Sequence, residues 1–265
     1  MNLDLKDKVI IVTGGASGIG ESIVRTLAIE HARPVIFDLK SANQCAELLE
    51  ELKIEHVDGA FISLDLTKED QVAEAVSEIG KRFGRIDGIV NNAGVNDSVG
   101  LNRSPADFSK SLEKNLVQCF SVVHHALNFL KKSDAPAIVN IASKVAITGQ
   151  GGTSGYAAAK GGLLALTREW ALDLASGGVR VNAVVPAEVW TPMYENWLST
   201  LSDPDARRAE IEANIPLGNR MTEAAEIADT TTFLLSPRAS HTTGQILHVD
   251  GGYVHFDRAY QGKDT

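Results

Sequence analysis

Hydrophobic positions along the chain fall into two alternating patterns. Short apolar, β-branched runs recur at Val9–Thr13, Pro34–Asp38, Ala60–Leu64, Gly88–Asn91, Ala137–Ile141, Val179–Val185 and Ile246–Val249, each with the length and flanking turn residues of a buried strand. Between them lie segments with helical spacing, at Gly18–Glu30, Ala42–Leu52, Lys68–Phe83, Leu116–Leu130, Gly155–Ala175 and Glu223–Leu235. Strand and helix alternate from end to end. That order predicts an α/β fold whose parallel strands are joined by right-handed crossovers, with helices on both faces of the sheet.

No linker, low-complexity tract or internal repeat divides the chain, so residues 1–265 are expected to form a single domain, and 44% hydrophobic content suffices for one packed core. One stretch breaks the alternation. Residues 187–219 are polar, carry three prolines and three aromatic residues, and join a strand to the next helix. Ligands of open α/β sheets bind at the carboxyl ends of strands, so a long insertion there reads as a substrate lid, with a plain surface excursion as the alternative.

Charge and cysteine usage narrow the function classes. A net charge of −9 gives no basic field for nucleic acid or anionic lipid. Cys45 and Cys119 stand far apart with no C-x-x-C spacing, which indicates neither a disulfide framework nor a zinc site. Residues 1–8 lack the basic start, apolar stretch and cleavage site of a signal peptide, and no run approaches the ~20 apolar residues of a membrane span. A cytoplasmic protein with no membrane partner is expected. His248, Asp250 and His255 resemble ligand spacing, but they lie at the last strand and its exit, and no metal is expected there.

The turn after the first strand, Thr13-Gly14-Gly15-Ala16-Ser17-Gly18-Ile19-Gly20, opens the first helix. Glycines let a backbone pass close to a pyrophosphate, and a helix N-terminus supplies free N–H groups and a favourable dipole. The G-x-x-x-G-x-G spacing differs from the commoner G-x-G-x-x-G fingerprint, so its context matters. Asp38 ends the second strand, eighteen residues past Gly20. A carboxylate there accepts both ribose hydroxyls of NAD and repels the 2′-phosphate of NADP, so NAD is the expected cofactor. Neighbouring Lys40 softens that discrimination, and a mere strand cap is the alternative role for Asp38. Farther on, Tyr156 and Lys160 lie four apart on a predicted helix and project from one face. A tyrosine of ordinary pKa, about 10, is a poor base at neutral pH, and a nearby ammonium favours the phenolate.

Thr13–Gly20, Asp65, Asn91-Asn92-Ala93-Gly94, Asn115, Ser143, the Tyr156/Lys160 pair and Val249-Asp250-Gly251-Gly252 follow one another in a specific order. With them the sequence resembles the short-chain dehydrogenase/reductase family along essentially its whole length. The resemblance implies a Rossmann-type parallel sheet of order 3-2-1-4-5-6-7, usually assembled as a homotetramer. It also implies a catalytic set of Asn115, Ser143, Tyr156 and Lys160. In that set Tyr156 is the acid/base group and Ser143 bonds the substrate oxygen. Lys160 also reaches the nicotinamide ribose, and Asn115 holds a water linking Lys160 to solvent. The implied cofactor contacts are Gly14, Ser17, Gly18, Ile19, Gly20, Asp38, Asp65, Asn91, Ala93 and Gly94, then Tyr156 and Lys160, with Pro186, Val189 and Thr191 toward the nicotinamide. As residues alone, Asn91–Gly94 reads as a strand-ending turn and Asp65 as a cap before a helix.

Within the family, Asn91–Asp97, Thr148–Gly151, Leu166–Trp170, Pro186–Pro192 and Ser236–Gly244 resemble the L-fucose dehydrogenase group of sugar dehydrogenases. Where many members have Pro-Gly, this chain has Pro186-Ala187 followed by Glu188. Each buried sugar hydroxyl needs a hydrogen-bonding partner. Asn96, Lys144, Gln150, Glu188 and Trp190 are expected to supply them or to stack on the sugar, an exposed loop position being the alternative for each. The expected reaction is NAD-dependent oxidation of the C1 hydroxyl of an aldose to the lactone. A 3-oxoacyl carrier-protein reductase is the enzymatic alternative, and a dinucleotide-binding sensor the non-enzymatic one.

Overall fold

Side chains alternate across each strand, and in β1 (Val9–Thr13) this sends Ile10 and Val12 into one core and Val9 and Ile11 into another. The computed structural model describes residues 2–54 and 58–256. The further strands are β2 (Arg33–Asp38), β3 (Ala60–Ser63), β4 (Gly88–Asn91), β5 (Ala137–Ile141), β6 (Arg180–Pro186), β7 (Val189–Trp190), β8 (Thr222–Glu223) and β9 (Ile246–Val249). Seven of them form one sheet in the order β3-β2-β1-β4-β5-β6-β9, parallel throughout, while β7 and β8 pair separately.

The helices are α1 (Gly18–Ile29), α2 (Ala46–Ile54), α3 (Glu69–Phe83), α4 (Pro105–Leu112), α5 (Gln118–Leu130), α6 (Ser154–Asp173), α7 (Pro192–Ser199), α8 (Pro204–Ala213) and α9 (Ala224–Leu235). On one face of the sheet α1 and α9 bury Ile23, Val24, Leu27, Ile227 and Leu234 against Ile10, Val12 and Val139. On the other, α3, α5 and α6 bury Val76, Ile79, Val122, Leu130 and Leu163 against Ile11, Ile89 and Ile138. Each such side chain contributes ~1.5–3 kcal/mol on leaving water. The three-layer arrangement follows from strands that are apolar on both faces.

Two segments depart from the periodicity reading. The helix expected from Leu116 begins at Pro105, runs through α4, widens into a π turn at Glu113–Val117 and continues as α5. Its start is set by a reciprocal cap: Ser104 Oγ accepts from the Asp107 N–H at 3.1 Å, and Asp107 Oδ2 accepts from the Ser104 N–H at 3.2 Å. Only Ser111 of α4 is buried, so no apolar stripe announces the helix. Residues 187–219 hold β7, α7 and α8 instead of an extended loop, and Leu198, Ile211, Ile215 and Met221 give this region a small core of its own.

Among the described residues no helix is long and apolar enough to cross a membrane. Near the C-terminal end, His255 Nε2 lies 3.1 Å from His248 Nδ1, whereas Asp250 accepts from the Gly252 and Val254 N–H groups at 2.8 and 2.9 Å. That carboxylate shapes the turn after β9.

Candidate active site

Connections leave β1 and β4 toward opposite ends of the sheet, so a crevice opens above their carboxyl ends. The two loops that line it are sewn together. Thr13 Oγ1 accepts from the N–H groups of Asn92 and Ala93, both at 3.0 Å, and donates to the Val90 carbonyl at 3.2 Å. Asn92 Nδ2 donates to the carbonyls of Thr13 and Gly14 at 3.0 and 3.1 Å.

The glycine-rich turn folds back on the start of α1. Gly14 has φ +63°, and a Cβ on Gly20 would come within 2.1 Å of the Gly14 carbonyl oxygen, so neither position accepts a side chain. Ser17 is exposed in extended conformation ahead of the helix, followed by Gly18 and half-buried Ile19. The first N–H groups of α1 have no acceptor inside the helix and carry its favourable dipole. Thr191 borders the same turn, 3.6 Å from where a Gly18 Cβ would lie, and its own Oγ1 caps α7. A pyrophosphate fits this cradle.

Asp38 stands at its rim. Its Oδ2 accepts from the Ala16 N–H and its Oδ1 from the Lys40 N–H, each at 3.0 Å. The Lys40 ammonium reaches the Ala16 carbonyl at 2.9 Å instead of the carboxylate. Two bonds leave part of the acceptor capacity of Asp38 for ribose hydroxyls. Asp65 Oδ1 accepts from Thr67 Oγ1 and N–H at 2.7 and 2.9 Å, which holds this carboxyl below its ordinary range and caps the approach to α3. Asn91 is fully buried, and its amide donates to Asn140 Oδ1 at 2.8 Å, bracing neighbouring strands. The Ala93 carbonyl accepts from Gln118 Nε2 at 2.8 Å.

The catalytic set predicted from the sequence gathers around the carboxyl end of β5. Ser143 caps a short 3-10 turn, Lys144–Ala146, that packs on α6. Tyr156 is half-buried in the first turn of α6. Lys160 is 2% exposed, donates to the Ile141 carbonyl at 2.7 Å and holds its Nζ 5.6 Å from the centroid of the Tyr156 ring. Asn115, within the π turn, accepts from the Val95 N–H at 2.7 Å and donates to the Ser111 carbonyl at 3.0 Å. Gly94 sits against both: a Cβ there would meet Asn115 Oδ1 at 2.8 Å and Lys160 Nζ at 3.4 Å. Pro186 is the buried last residue of β6, and Val189 is buried in β7.

The residues expected to meet substrate are only partly brought together. Lys144 and Glu188 form an ion pair, 13% and 11% exposed. Tyr194 donates its hydroxyl to Glu188 Oε2 at 2.9 Å, and the Lys144 Nζ lies 4.2 Å from the centroid of the Tyr253 ring. Burial, reinforced by the Glu188 carboxylate, pushes the Tyr194 phenol up, so it stays protonated. Trp190 lies under the Arg208 guanidinium at 4.2 Å, Asn96 accepts from the Ser98 N–H at 3.3 Å within its own loop, and Gln150 is exposed. Sequence reasoning misses Tyr194 and Tyr253. The aromatic content of residues 187–219 points toward the first; no local pattern points to the second. A separate groove of about 310 Å³, lined by residues such as Leu66, Val117, Phe120 and His124, lies on the α3/α5 surface and contains no member of the Tyr156 cluster.

Comparison with known proteins identifies the family. The family model described as Enoyl-(Acyl carrier protein) reductase matches residues 14–254. The L-fucose dehydrogenase of Bos taurus is 39% identical over 247 residues, covering 92% of this chain and 88% of its own. The 3-oxoacyl-(acyl-carrier-protein) reductase FabG of Thermotoga maritima is 34% identical over 251 residues, covering 94% and 99%. Among solved structures, the Cj0485 dehydrogenase superposes with a TM-score of 0.94 at 45% identity, over 99% of this chain and 100% of that one. The chain is a member of the short-chain dehydrogenase/reductase family, an oxidoreductase acting on alcohol or carbonyl groups of small molecules.

Proposed function

We propose that the protein oxidises the C1 hydroxyl of an aldose, L-fucose or a related sugar, to the lactone with NAD. The observation that carries the sugar reading is the Lys144–Glu188 ion pair, which begins one residue after Ser143 and offers charged donors and acceptors where an acyl chain would need an apolar wall. The 39% identity to an L-fucose dehydrogenase supports the same reading.

The family works with a nicotinamide dinucleotide. When bound, it supplies the hydride acceptor. The Gly14–Gly20 cradle holds the pyrophosphate, and Asp38 accepts the ribose hydroxyls and disfavours a 2′-phosphate. Tyr156 as phenolate takes the proton of the sugar hydroxyl. The Lys160 ammonium stabilises that phenolate, and Ser143 donates to the substrate oxygen as its charge changes. Asn115 supports a water path from Lys160 to solvent, and residues 187–219 form the lid over the sugar.

The protein is further proposed to be a cytoplasmic homotetramer. Val117 at the end of the π turn, Phe120 on α5 and Leu172 on α6 are 52%, 52% and 77% exposed, an apolar surface that fits a second copy. Light scattering on the purified protein measures the assembly.

Initial rates with NAD and NADP, over L-fucose, D-arabinose and L-galactose, test the activity. Turnover by wild type and its loss in Tyr156→Phe are expected. No reduction of NAD with any aldose would overturn the sugar assignment. The second reading, reduction of a 3-oxoacyl thioester, draws on the 34% identity to a FabG and is tested by adding such a thioester to the panel. A dinucleotide sensor would turn over none of these.

A further inference from the structure

The ion pair of Lys144 and Glu188 is held by four segments. Lys144 follows β5, Glu188 follows β6, Tyr194 lies on α7, and Tyr253 follows β9. β5, β6 and β9 are adjacent in the sheet, so three of these residues leave its carboxyl edge side by side. A buried ion pair contributes little net stability, because desolvating both charges offsets their attraction. Its placement beside Ser143 calls for another explanation.

Hydrogen-bond capacity supplies one. A carboxylate accepts about four bonds and an ammonium donates three. Glu188 uses one oxygen on Lys144 and the other on Tyr194, and Lys144 spends one donor on Glu188 while Tyr253 covers its ammonium. Acceptors and donors both remain, fixed in one place. A hydroxyl both donates and accepts, and two adjacent hydroxyls match such a mixed pair. A substrate with a lone hydroxyl leaves these charges unanswered.

We propose that Lys144 and Glu188 form a clamp for a hydroxyl group adjacent to the one being oxidised, with Tyr194 and Tyr253 as positioning residues that fix the carboxylate and the ammonium. The clamp makes the enzyme selective for vicinal diols and hydroxylated rings over simple alcohols. This rests on the sugar reading above and adds which groups confer selectivity.

The test is a set of alcohols that differ only in the neighbouring hydroxyl: an aldose against its 2-deoxy form, and trans-1,2-cyclohexanediol against cyclohexanol. The readout is the ratio of kcat/KM within each pair for wild type, Glu188→Gln, Lys144→Met and Tyr194→Phe. Sites built to bond a hydroxyl discriminate strongly, so the ratio is expected to fall about tenfold or more in Glu188→Gln and Lys144→Met. Tyr194→Phe is expected to act through KM with kcat largely retained. Quenching of tryptophan fluorescence by the aldose in the absence of cofactor gives a second measure, since Trp197 lies edge-on to Tyr194 at 5.3 Å. Where Glu188→Gln is poorly folded, the double variant Lys144→Met/Glu188→Gln removes both charges together. Equal losses within each pair, or no loss, overturn the clamp. Turnover of the cyclohexanediol but of no sugar would overturn the sugar reading and leave the clamp standing. Turnover of no vicinal diol at all by wild type overturns both.

Discussion

Lys160 donates to the carbonyl of Ile141, the last residue of β5, at 2.7 Å. The ammonium is therefore tied to the sheet, not free to follow solvent, while it faces the Tyr156 ring from 5.6 Å. Replacing Lys160 by Met removes the cation and strands a buried carbonyl. Steady-state rates are expected to fall about 100-fold or more, with Tyr156→Phe at least as severe, within the range for losing acid/base catalysis. An unchanged urea midpoint separates lost chemistry from lost folding.

Asp38 bonds the backbone of the glycine-rich turn, its proposed partner is the ribose, and Lys40 lies beside it. Asp38→Ser removes the negative charge and leaves the ammonium. The ratio of kcat/KM for NADP over NAD is expected to rise about tenfold or more, since one removed repulsion of about 1.4 kcal/mol is a factor of ten. An unchanged ratio would assign Asp38 to the turn alone.

Arg180, 7% exposed at the start of β6, donates to the carbonyls of Leu234, Leu235 and Ser236 at 2.6, 3.1 and 3.0 Å. These carbonyls close the C-terminal end of α9. Arg180→Met leaves all of them without this donor, and a loss of ~2–4 kcal/mol is expected in the urea midpoint analysis.

Arg220 bonds Glu226 at 2.6 Å, and with the Glu223 N–H this holds the Glu226 carboxyl at about 2, from an ordinary 4.5. Between those values the unfolded chain binds the proton and the folded one does not, so the pair's contribution is complete above about 4.5 and lost as pH falls through about 2. The two side chains are 49% and 39% exposed, so solvent screening keeps the contribution small. Glu226→Gln is expected to lower the melting temperature slightly at pH 7 and to converge on wild type as pH falls below about 2.

The seven main strands and the glycine-rich turn are legible in the sequence because their signals are local: β-branched runs, turn residues and helix starts within a few positions. The α4 segment is not, since its helix is specified by the Ser104 cap and by packing around Ser111 instead of by an apolar stripe. The site divides in the same way. Tyr156 and Lys160 share a helix face and can be paired on paper. Gly94 touches Asn115 and Lys160 only through the closure of two distant segments. Tyr253 meets Lys144 only because β9 lies beside β6, which no local pattern encodes.

The seam between Thr13 and Asn92 has a consequence for ligand affinity. Because one hydroxyl and one amide lock the loops after β1 and β4 to each other, both walls of the cradle are ordered when the chain folds. On the proposed assignment, a dinucleotide bound there meets walls already joined to each other, and its binding free energy is not reduced by the entropy of ordering two loops. Loosening the seam, as Thr13→Val would, shifts that entropy onto the binding step and is expected to weaken dinucleotide affinity, read as Kd in a fluorescence titration.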